Sequence, residues 1–294
     1  MPDPSLSIVL PARNEAENLV RLLPEIRALY PDTEILVVDD GSTDDTARIC
    51  AEHAARHLCH PYPLGNGAAI KTGTRHATGE IIVFMDGDGQ HNPADIPSLL
   101  GKLAEGYAMA VGARGFGSQA TVSRGLANGL YNRLASWMVG HRVQDLTSGF
   151  RAVHAARFRE FLYLLPNGFS YPTTITMAFF RAGYPVAYLP IAARQRQGKS
   201  HIRPIKDGVR FLLIIFRIGT LYSPLKLFTP ISLGFFMLGL GYYLYTLLTT
   251  GRFTNMSALM FTTSITIFLI GLVSEQITNL LYKHDHDPPR PESQ

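Results

Sequence analysis

The chain is short of charge. Asp, Glu, Lys and Arg together make up 17% of its 294 residues, against about a quarter in ordinary soluble domains. Cysteine is scarcer still, with only Cys50 and Cys59. Two cysteines cannot staple a small secreted scaffold and suit a reducing compartment, and their spacing matches no zinc-finger pattern. No apolar leader stands before Leu6, where the first strand begins, so no signal peptide is expected. The Walker phosphate-loop pattern is missing. No nucleic-acid-reading motif accompanies the net charge of +4, and nucleic acid is therefore not an expected partner.

Apolar residues are abundant, at 46%, but unevenly placed. The first 190 residues read as soluble α/β protein. Leu227 to Leu248 and Asn255 to Val273 then carry no charge at all. Each run is about the 20 helical residues that cross a bilayer core, and a buried soluble hairpin is the alternative. Between Arg194 and Lys226 stand eight Lys or Arg and one acid, Asp207; the connector 249–254 holds only Arg252. Basic residues on the outer flanks predict a cytoplasmic domain and C-terminus, joined by a short external loop. They also predict contact with anionic membrane lipids. Residues 207–221, with Arg210 and Arg217 one heptad apart, suit a helix lying in the interface, with an ordinary domain helix packed against the sheet as the alternative. The expected organisation is 1–200 catalytic, 201–226 juxtamembrane, 227–282 a two-helix anchor, and 283–294 a disordered tail.

Within the first 200 residues, apolar strands alternate with helical segments. LSIVL (Leu6 to Leu10) ends at Pro11, and Asn14 is placed to cap the helix that follows. EILVVDD (Glu34 to Asp40) leads into a helix with Ser42 as cap and Asp45 as its capping-box partner. Gly65 to Ala77 reads as a helix, EIIVFMDGD (Glu80 to Asp88) as a strand, Pro93 as a helix start and AMAVGAR (Ala108 to Arg114) as another strand. Such alternation predicts a largely parallel sheet with its ligand beyond the strand ends.

Carboxylates gather at those ends. Asp86-Gly87-Asp88-Gly89-Gln90 closes a strand whose preceding residues must be buried. Hard oxygen ligands there suit Mg²⁺ or Mn²⁺ beside a diphosphate leaving group, with simple turn-capping as the alternative. Asp39 and Asp40 can accept hydrogen bonds from a base or a ribose. Gly65-Asn66-Gly67 with Lys71 has the make-up of a phosphate-facing loop, with a plain surface loop as the alternative, and Arg114 sits at a strand end, turned either into the cleft or to water. His91 and His201 lie near these segments and read as positioning or surface residues.

LSIVLPARNEAENL, VVDDGSTDDT, LGNGAAIKTG, FMDGDGQHNPADI, VGAR and DLTSGFR occur in the order and spacing of family 2 glycosyltransferases. The set most resembles the dolichyl-phosphate mannosyltransferase and bacterial polyprenyl-phosphate glycosyltransferase branch. That resemblance covers Leu6 to Ile191 and extends to the two terminal spans. It implies a GT-A nucleotide-sugar-binding α/β domain with a mostly parallel sheet, followed by a juxtamembrane helix and two transmembrane helices. It also implies inverting transfer from a UDP- or GDP-sugar to polyprenyl phosphate, assisted by Mg²⁺ or Mn²⁺. The donor set would be Pro11, Arg13, Glu15, Asp39, Asp40, Lys71, Asp86, Gly87, Asp88 and Arg114, with Asp39 at the base. Asp86, Asp88 and Gln90 fall on the metal motif. The acceptor set would be Arg124, Ser148, Arg151, Arg194, Arg196 and Lys199, with Asp86, Asp88 and Arg151 carrying the reaction. An Arg151–Asp145 ion pair is the structural alternative for Arg151, and an anionic-lipid patch the alternative for RQRQGKS (Arg194 to Ser200). GFSYPTTITM (Gly168 to Met177) has threonines where many relatives carry an acid. Other acceptors (a lipid hydroxyl, a polysaccharide) and a non-catalytic nucleotide-sugar-binding scaffold are the competing readings, and self-association is left open.

Overall fold

The computed structural model describes residues 4–114, 122–168, 171–192, 216 and 219–283, with side chains of 122–128, 282 and 283 excepted. The chain divides into two compact units, Met1–Ile202 and Arg203–Gln294.

The first unit is built on one seven-stranded sheet. Its strands are β1 (Leu6–Ala12), β2 (Glu34–Asp39), β3 (Arg56–Cys59), β4 (Ile81–Phe84), β5 (Met109–Arg114), β6 (Arg151–His154) and β7 (Val186–Ile191). They lie in the order β3-β2-β1-β4-β6-β5-β7. Every pairing is parallel except those of β6, which runs antiparallel to both β4 and β5. β3, β6 and β7 do not announce themselves in the sequence, because RHLC and RAVH are short and half polar. β1 runs through Pro11 rather than stopping at it. The Pro11 carbonyl accepts from Gly87 N–H at 3.2 Å, so its missing donor would face the side where β4 has already ended.

Helix α1 (Ala16–Leu29) buries Leu19, Leu22, Leu23 and Ile26, a one-face spacing that packs on Ile8, Leu10 and Val37. α4 (Ile96–Ala104) adds Ile96 and Leu99 to the same core. The short α2 (Thr46–Glu52) adds Ile49 and Cys50. α3 (Asn66–His76) packs closely on Val9 and Val38, since a Cβ on Gly73 would come within 2.3 Å of Val9 Cγ1. Large side chains fully buried here contribute about 1.5–3 kcal/mol each. α5 (Val122–Val139), α6 (Ala155–Arg159) and α7 (Tyr171–Arg181) complete the unit.

Two expected caps are replaced by something else. Asn14 takes φ +54 and its side chain accepts from Thr43 N–H at 2.8 Å, while its own N–H donates to Ser42 Oγ at 2.9 Å. Ser42 and Asn14 thus tie the β1–α1 and β2–α2 turns together instead of capping helices. Asp44 takes over near α2, accepting from Thr46 N–H and hydroxyl.

The described part of the second unit is a hairpin of α8 (Pro224–Thr250) and α9 (Asn255–Lys283). Each holds a stretch of 27 residues, with 18-residue windows reaching mean hydropathies of 1.6 and 2.0, and is long and apolar enough to cross a membrane. Small residues let the helices meet. Gly239 abuts Met260 and Gly271 abuts Phe228, while the Ser232 and Ser264 hydroxyls each donate to the other residue's carbonyl at 2.9 Å. Glu275 accepts from Leu225 N–H at 3.2 Å, supplying an acceptor to the first turn of α8. The outward faces, Leu238 and Leu248 among them, are apolar and uncovered. Most of the expected interfacial segment 207–221 and the tail lie outside the described residues.

Candidate functional site

A cleft of about 370 Å³ opens beyond the C-terminal ends of β1, β2 and β4. It is lined by Pro11, Ala12, Arg13, Glu15, Asp40, Gly65, Asn66, Ala69, Asp86, Gly87 and Asp88. Seven of the expected donor residues therefore meet at one wall. Asn66 joins them because α3 begins there, which puts a helix N-terminus, favourable to phosphate, beside the carboxylates.

Asp40 shapes this loop more than it faces a ligand. Its two oxygens accept from Leu64 N–H (2.7 Å), Gly65 N–H (2.8 Å) and His60 Nδ1 (2.8 Å). Burial alone would raise its pKa, but these hydrogen bonds and His60 prevail and hold it below the ordinary carboxylate value. His60 in turn meets the Thr72 hydroxyl on α3 at 2.9 Å. Gly65 sits at φ +105, and a Cβ on Gly67 would strike the Pro166 carbonyl at 1.9 Å, so the loop's glycines are required by close backbone approach. Asp39 is also buried, accepting from Ser42 N–H at 2.7 Å and meeting His57 Nε2 at 3.0 Å. His57 and His60 were not singled out in the sequence. Only the register that sets β3 beside β2 reveals them.

Asp86 and Asp88 follow β4 in a turn where Gln90 N–H donates to Asp88 Oδ1 at 3.1 Å. Asp86 is held from behind. His91 Nε2 stands 3.6 Å from its Oδ2, with the imidazole stacked on Phe150 at 4.9 Å. A Cβ on Gly149 would lie 2.9 Å from the same oxygen. The DLTSGFR segment thus backs directly onto the carboxylate motif.

Within that segment the expected roles move. Asp145 pairs with Arg114, not Arg151: Arg114 Nε donates to Asp145 Oδ2 at 2.9 Å and Nη2 to the Thr147 hydroxyl at 2.7 Å. Burial opposes the Arg114 charge, yet Asp145, Asp86 and Asp88 raise its pKa. Burial likewise works against the Asp145 carboxylate, but Arg114 and Thr147 lower its pKa. Arg151 itself is 0% exposed. Its guanidinium donates to the Pro172 carbonyl at 3.3 Å, the Thr176 hydroxyl at 3.2 Å and the Ser148 carbonyl, and lies 5.7 Å from the Tyr171 ring centroid. No carboxylate among the described residues pairs with it, and burial pulls its pKa down. A fully enclosed side chain cannot grip an entering phosphate, so the contact expected of Arg151 is corrected to a supporting role behind Ser148 and Gly149. The Ser148 hydroxyl is buried without a hydrogen-bond partner among the described residues.

Lys71 departs as well. Its ammonium donates to the Leu165 carbonyl at 3.2 Å and to Asn167 Oδ1, tying α3 to the segment before α7 rather than reaching into the cleft. The side chain of Arg124, and all of Arg194, Arg196 and Lys199, lie outside the described residues. The α7 threonines are buried, with Thr173 accepting from Tyr131 at 2.9 Å and Thr176 donating to the Pro172 carbonyl at 2.7 Å.

Among the described residues, one group of three potential metal ligands assembles: Asp39, His57 and Cys59, with donor atoms all within 4.8 Å of one another. It stands apart from Asp86 and Asp88.

Residues 7–163 match the profile of glycosyl transferase family 2. The chain belongs to that family. Residues 223–280 match a second profile, the GtrB C-terminal hairpin. Over 253 residues this family 2 member is 28% identical to glycosyltransferase AglJ of Haloferax volcanii, covering 83% of this chain and 82% of the relative. It is 35% identical over 161 residues to the undecaprenyl-phosphate 4-deoxy-4-formamido-L-arabinose transferase of Klebsiella pneumoniae, 51% of this chain and only 49% of that enzyme. In fold it is similar to glucosyl-3-phosphoglycerate synthase of Mycobacterium tuberculosis, with a TM-score of 0.59 at 22% identity over 74% of this chain and 79% of that one. The first unit is thus a GT-A-like domain with a mostly parallel sheet. This family 2 enzyme is related to polyprenyl-phosphate sugar transferases, and its reaction is inverting, metal-assisted sugar transfer from a nucleotide-diphosphate sugar.

Proposed function

We propose that this glycosyltransferase moves its sugar onto polyprenyl phosphate, dolichyl or undecaprenyl, at the surface of a membrane that α8 and α9 span. The observation that carries the reading is the hairpin match at residues 223–280, joined in one chain to the carboxylate-lined donor cleft. The relatives named for undecaprenyl-phosphate transfer point the same way.

The donor's diphosphate is assigned to the cleft between Asp86-Gly87-Asp88 and the N-terminus of α3, and its base to the Asp39 turn. Mg²⁺ or Mn²⁺ fits the first of these, because Asp86 and Asp88 offer hard oxygen donors and Asp86 is one-third exposed to the cleft. When bound, such an ion neutralises charge on the departing nucleoside diphosphate. The protein's own part is placement. His91 and Gly149 fix Asp86, and Asp40 fixes the Gly65 loop. Arg114, oriented by Asp145 and Thr147, presents a guanidinium near both carboxylates and is assigned to a phosphate. The acceptor phosphate is assigned to Arg114, Arg124, Arg194, Arg196 and Lys199, with the buried Ser148–Gly149 segment shaping the wall behind Asp86. A phosphate monoester has a second pKa of about 6, so the attacking oxygen is largely unprotonated at neutral pH and no general base is required.

The test is product identification. Offered UDP- and GDP-sugars with polyprenyl phosphate in detergent, the full chain is expected to yield a sugar–phosphate–lipid by mass spectrometry. An O-glycoside of a lipid alcohol or a polymer would instead establish the competing acceptor readings. Recovery of no transferred sugar from any donor would favour the scaffold.

Topology is proposed from the basic flanks: the domain and the C-terminus face the cytoplasm, and residues 249–254 face outward. In a Cys59→Ser background, an impermeant thiol reagent on intact cells should label a cysteine introduced at Thr250 but not one at Ser293. The reverse pattern would overturn the assignment.

A further inference from the structure

We propose a second metal site in this enzyme, made by Asp39, His57 and Cys59 and selective for a borderline-soft divalent ion such as Zn²⁺. Two adjacent parallel strands build it. The register places Asp39 of β2 against Cys59 of β3, and His57, two residues earlier on β3, projects from the same face. His57 Nε2 is already 3.0 Å from Asp39 Oδ2, and all three ligand atoms fall within 4.8 Å of one another. Ligands of a tetrahedral zinc ion stand about 3.5 Å apart, so a shift of about 1 Å in the exposed Cys59 side chain closes the set.

The donor chemistry separates this group from the strand-end carboxylates. A thiolate and an imidazole suit zinc, not magnesium, whereas Asp86 and Asp88 offer only oxygen. The supporting shell is in place. Asp39 Oδ1 keeps its hydrogen bond from Ser42 N–H at 2.7 Å while Oδ2 is released toward the ion. Cys59 Sγ, which donates to the His60 carbonyl at 3.3 Å, gives up that bond and its proton to solvent on binding. His57 is partly exposed, at 24% of its side chain, which gives an entering ion a route. Three protein ligands leave the fourth position to water. The pairing depends on strand register and not on sequence spacing, so no zinc pattern is visible in the chain.

The site's consequence rests on the base contact proposed for Asp39. An ion on Oδ2 removes the acceptor that the nucleotide would use, so zinc and donor nucleotide should compete.

The experiment uses the full-length detergent-solubilised protein in excess Mg²⁺, with His284→Ala and His286→Ala to silence the imidazoles of the C-terminal tail. Equilibrium dialysis should find one equivalent of Zn²⁺ retained, and Co²⁺ should give a thiolate-to-metal charge-transfer band in the near ultraviolet. Cys59→Ser should abolish the band, and Cys59→Ser and His57→Gln should each weaken zinc binding at least about 10-fold. Both replaced side chains are at least partly exposed, so the fold survives the changes. Zinc retention unaltered in both variants, or a cobalt complex with no thiolate band, would overturn the site. Displacement of zinc by nucleoside diphosphate supports the site together with the base contact. Zinc binding that ignores the nucleotide confirms the metal site and removes Asp39 from base recognition.

Discussion

Asp88→Asn is expected to lower turnover by roughly 100- to 1000-fold, about 3–4 kcal/mol of transition-state stabilisation, with little loss of stability. The carboxylate stands in the cleft wall, in a turn that holds its shape through Gln90 N–H on Oδ1. Asparagine keeps that acceptor and the side-chain volume but gives up the negative charge. An oxygen ligand without charge cannot hold a divalent ion well against water, so the diphosphate's developing charge goes uncompensated. Two measurements separate this from a folding defect. Thermal unfolding should change by no more than a few degrees, and Mn²⁺ binding followed by electron paramagnetic resonance should weaken in step with turnover. Asp86→Asn should lose activity too. Its carboxylate is also the one that His91 and Gly149 position, so disturbance there spreads into the DLTSGFR segment. Wild-type turnover in a folded Asp88→Asn protein would remove the carboxylate motif from donor chemistry.

How legible each feature was in the sequence follows from its physics. Strands β1, β2, β4 and β5 are continuous apolar runs buried on both faces, and that signal survives without neighbours. Carboxylates at the ends of such runs have to emerge where a parallel sheet binds ligands. Asp40, Asp86 and Asp88 are therefore placed by the sequence alone, and the cleft gathers them. What stayed hidden depends on partners distant in sequence. β6 is recognisable only because β4 and β5 flank it. His57 and His60 come to the acids through β3, a four-residue edge strand of half-polar composition. Asn14 and Ser42 look like helix caps locally, yet they serve each other across 28 residues. Lys71 sits two residues after the cleft residue Ala69 on α3, but a carbonyl 94 positions away holds it. A motif states which side chains are near a site and leaves open which way each one points.

Arg151 shows that limit most sharply, and replacing it should produce the largest change in stability. Arginine is almost never fully buried unless paired, so a sequence argument sends it to the surface or to a phosphate. Here the guanidinium is enclosed: its two terminal nitrogens bond mainly to backbone carbonyls, while Nε is buried with no hydrogen-bond partner among the described residues. It joins the Ser148 carbonyl before β6 to the Pro172 carbonyl and Thr176 hydroxyl of α7. Met109 and the Tyr171 ring close the remaining sides. Arg151→Ala would leave a void and strip the Ser148 carbonyl of this donor, each buried acceptor so exposed costing about 1–3 kcal/mol. We expect a loss of about 3–5 kcal/mol, the upper range for large-to-small core changes. In a unit of some 200 residues that is roughly 6–20 °C in unfolding temperature. Arg151→Lys keeps a cation but cannot reach α7 and Ser148 together, so it should recover only part of the loss. Because Ser148 and Gly149 hang on this side chain and Gly149 backs onto Asp86, donor and acceptor affinities should fall together. Asp145→Ala should act differently, freeing Arg114 while leaving the Arg151 bonds intact. Calorimetric donor binding and initial rates against lipid phosphate, measured beside thermal unfolding, distinguish the cases. A stable Arg151→Ala protein that binds donor normally and fails only with the lipid phosphate would return Arg151 to the acceptor site.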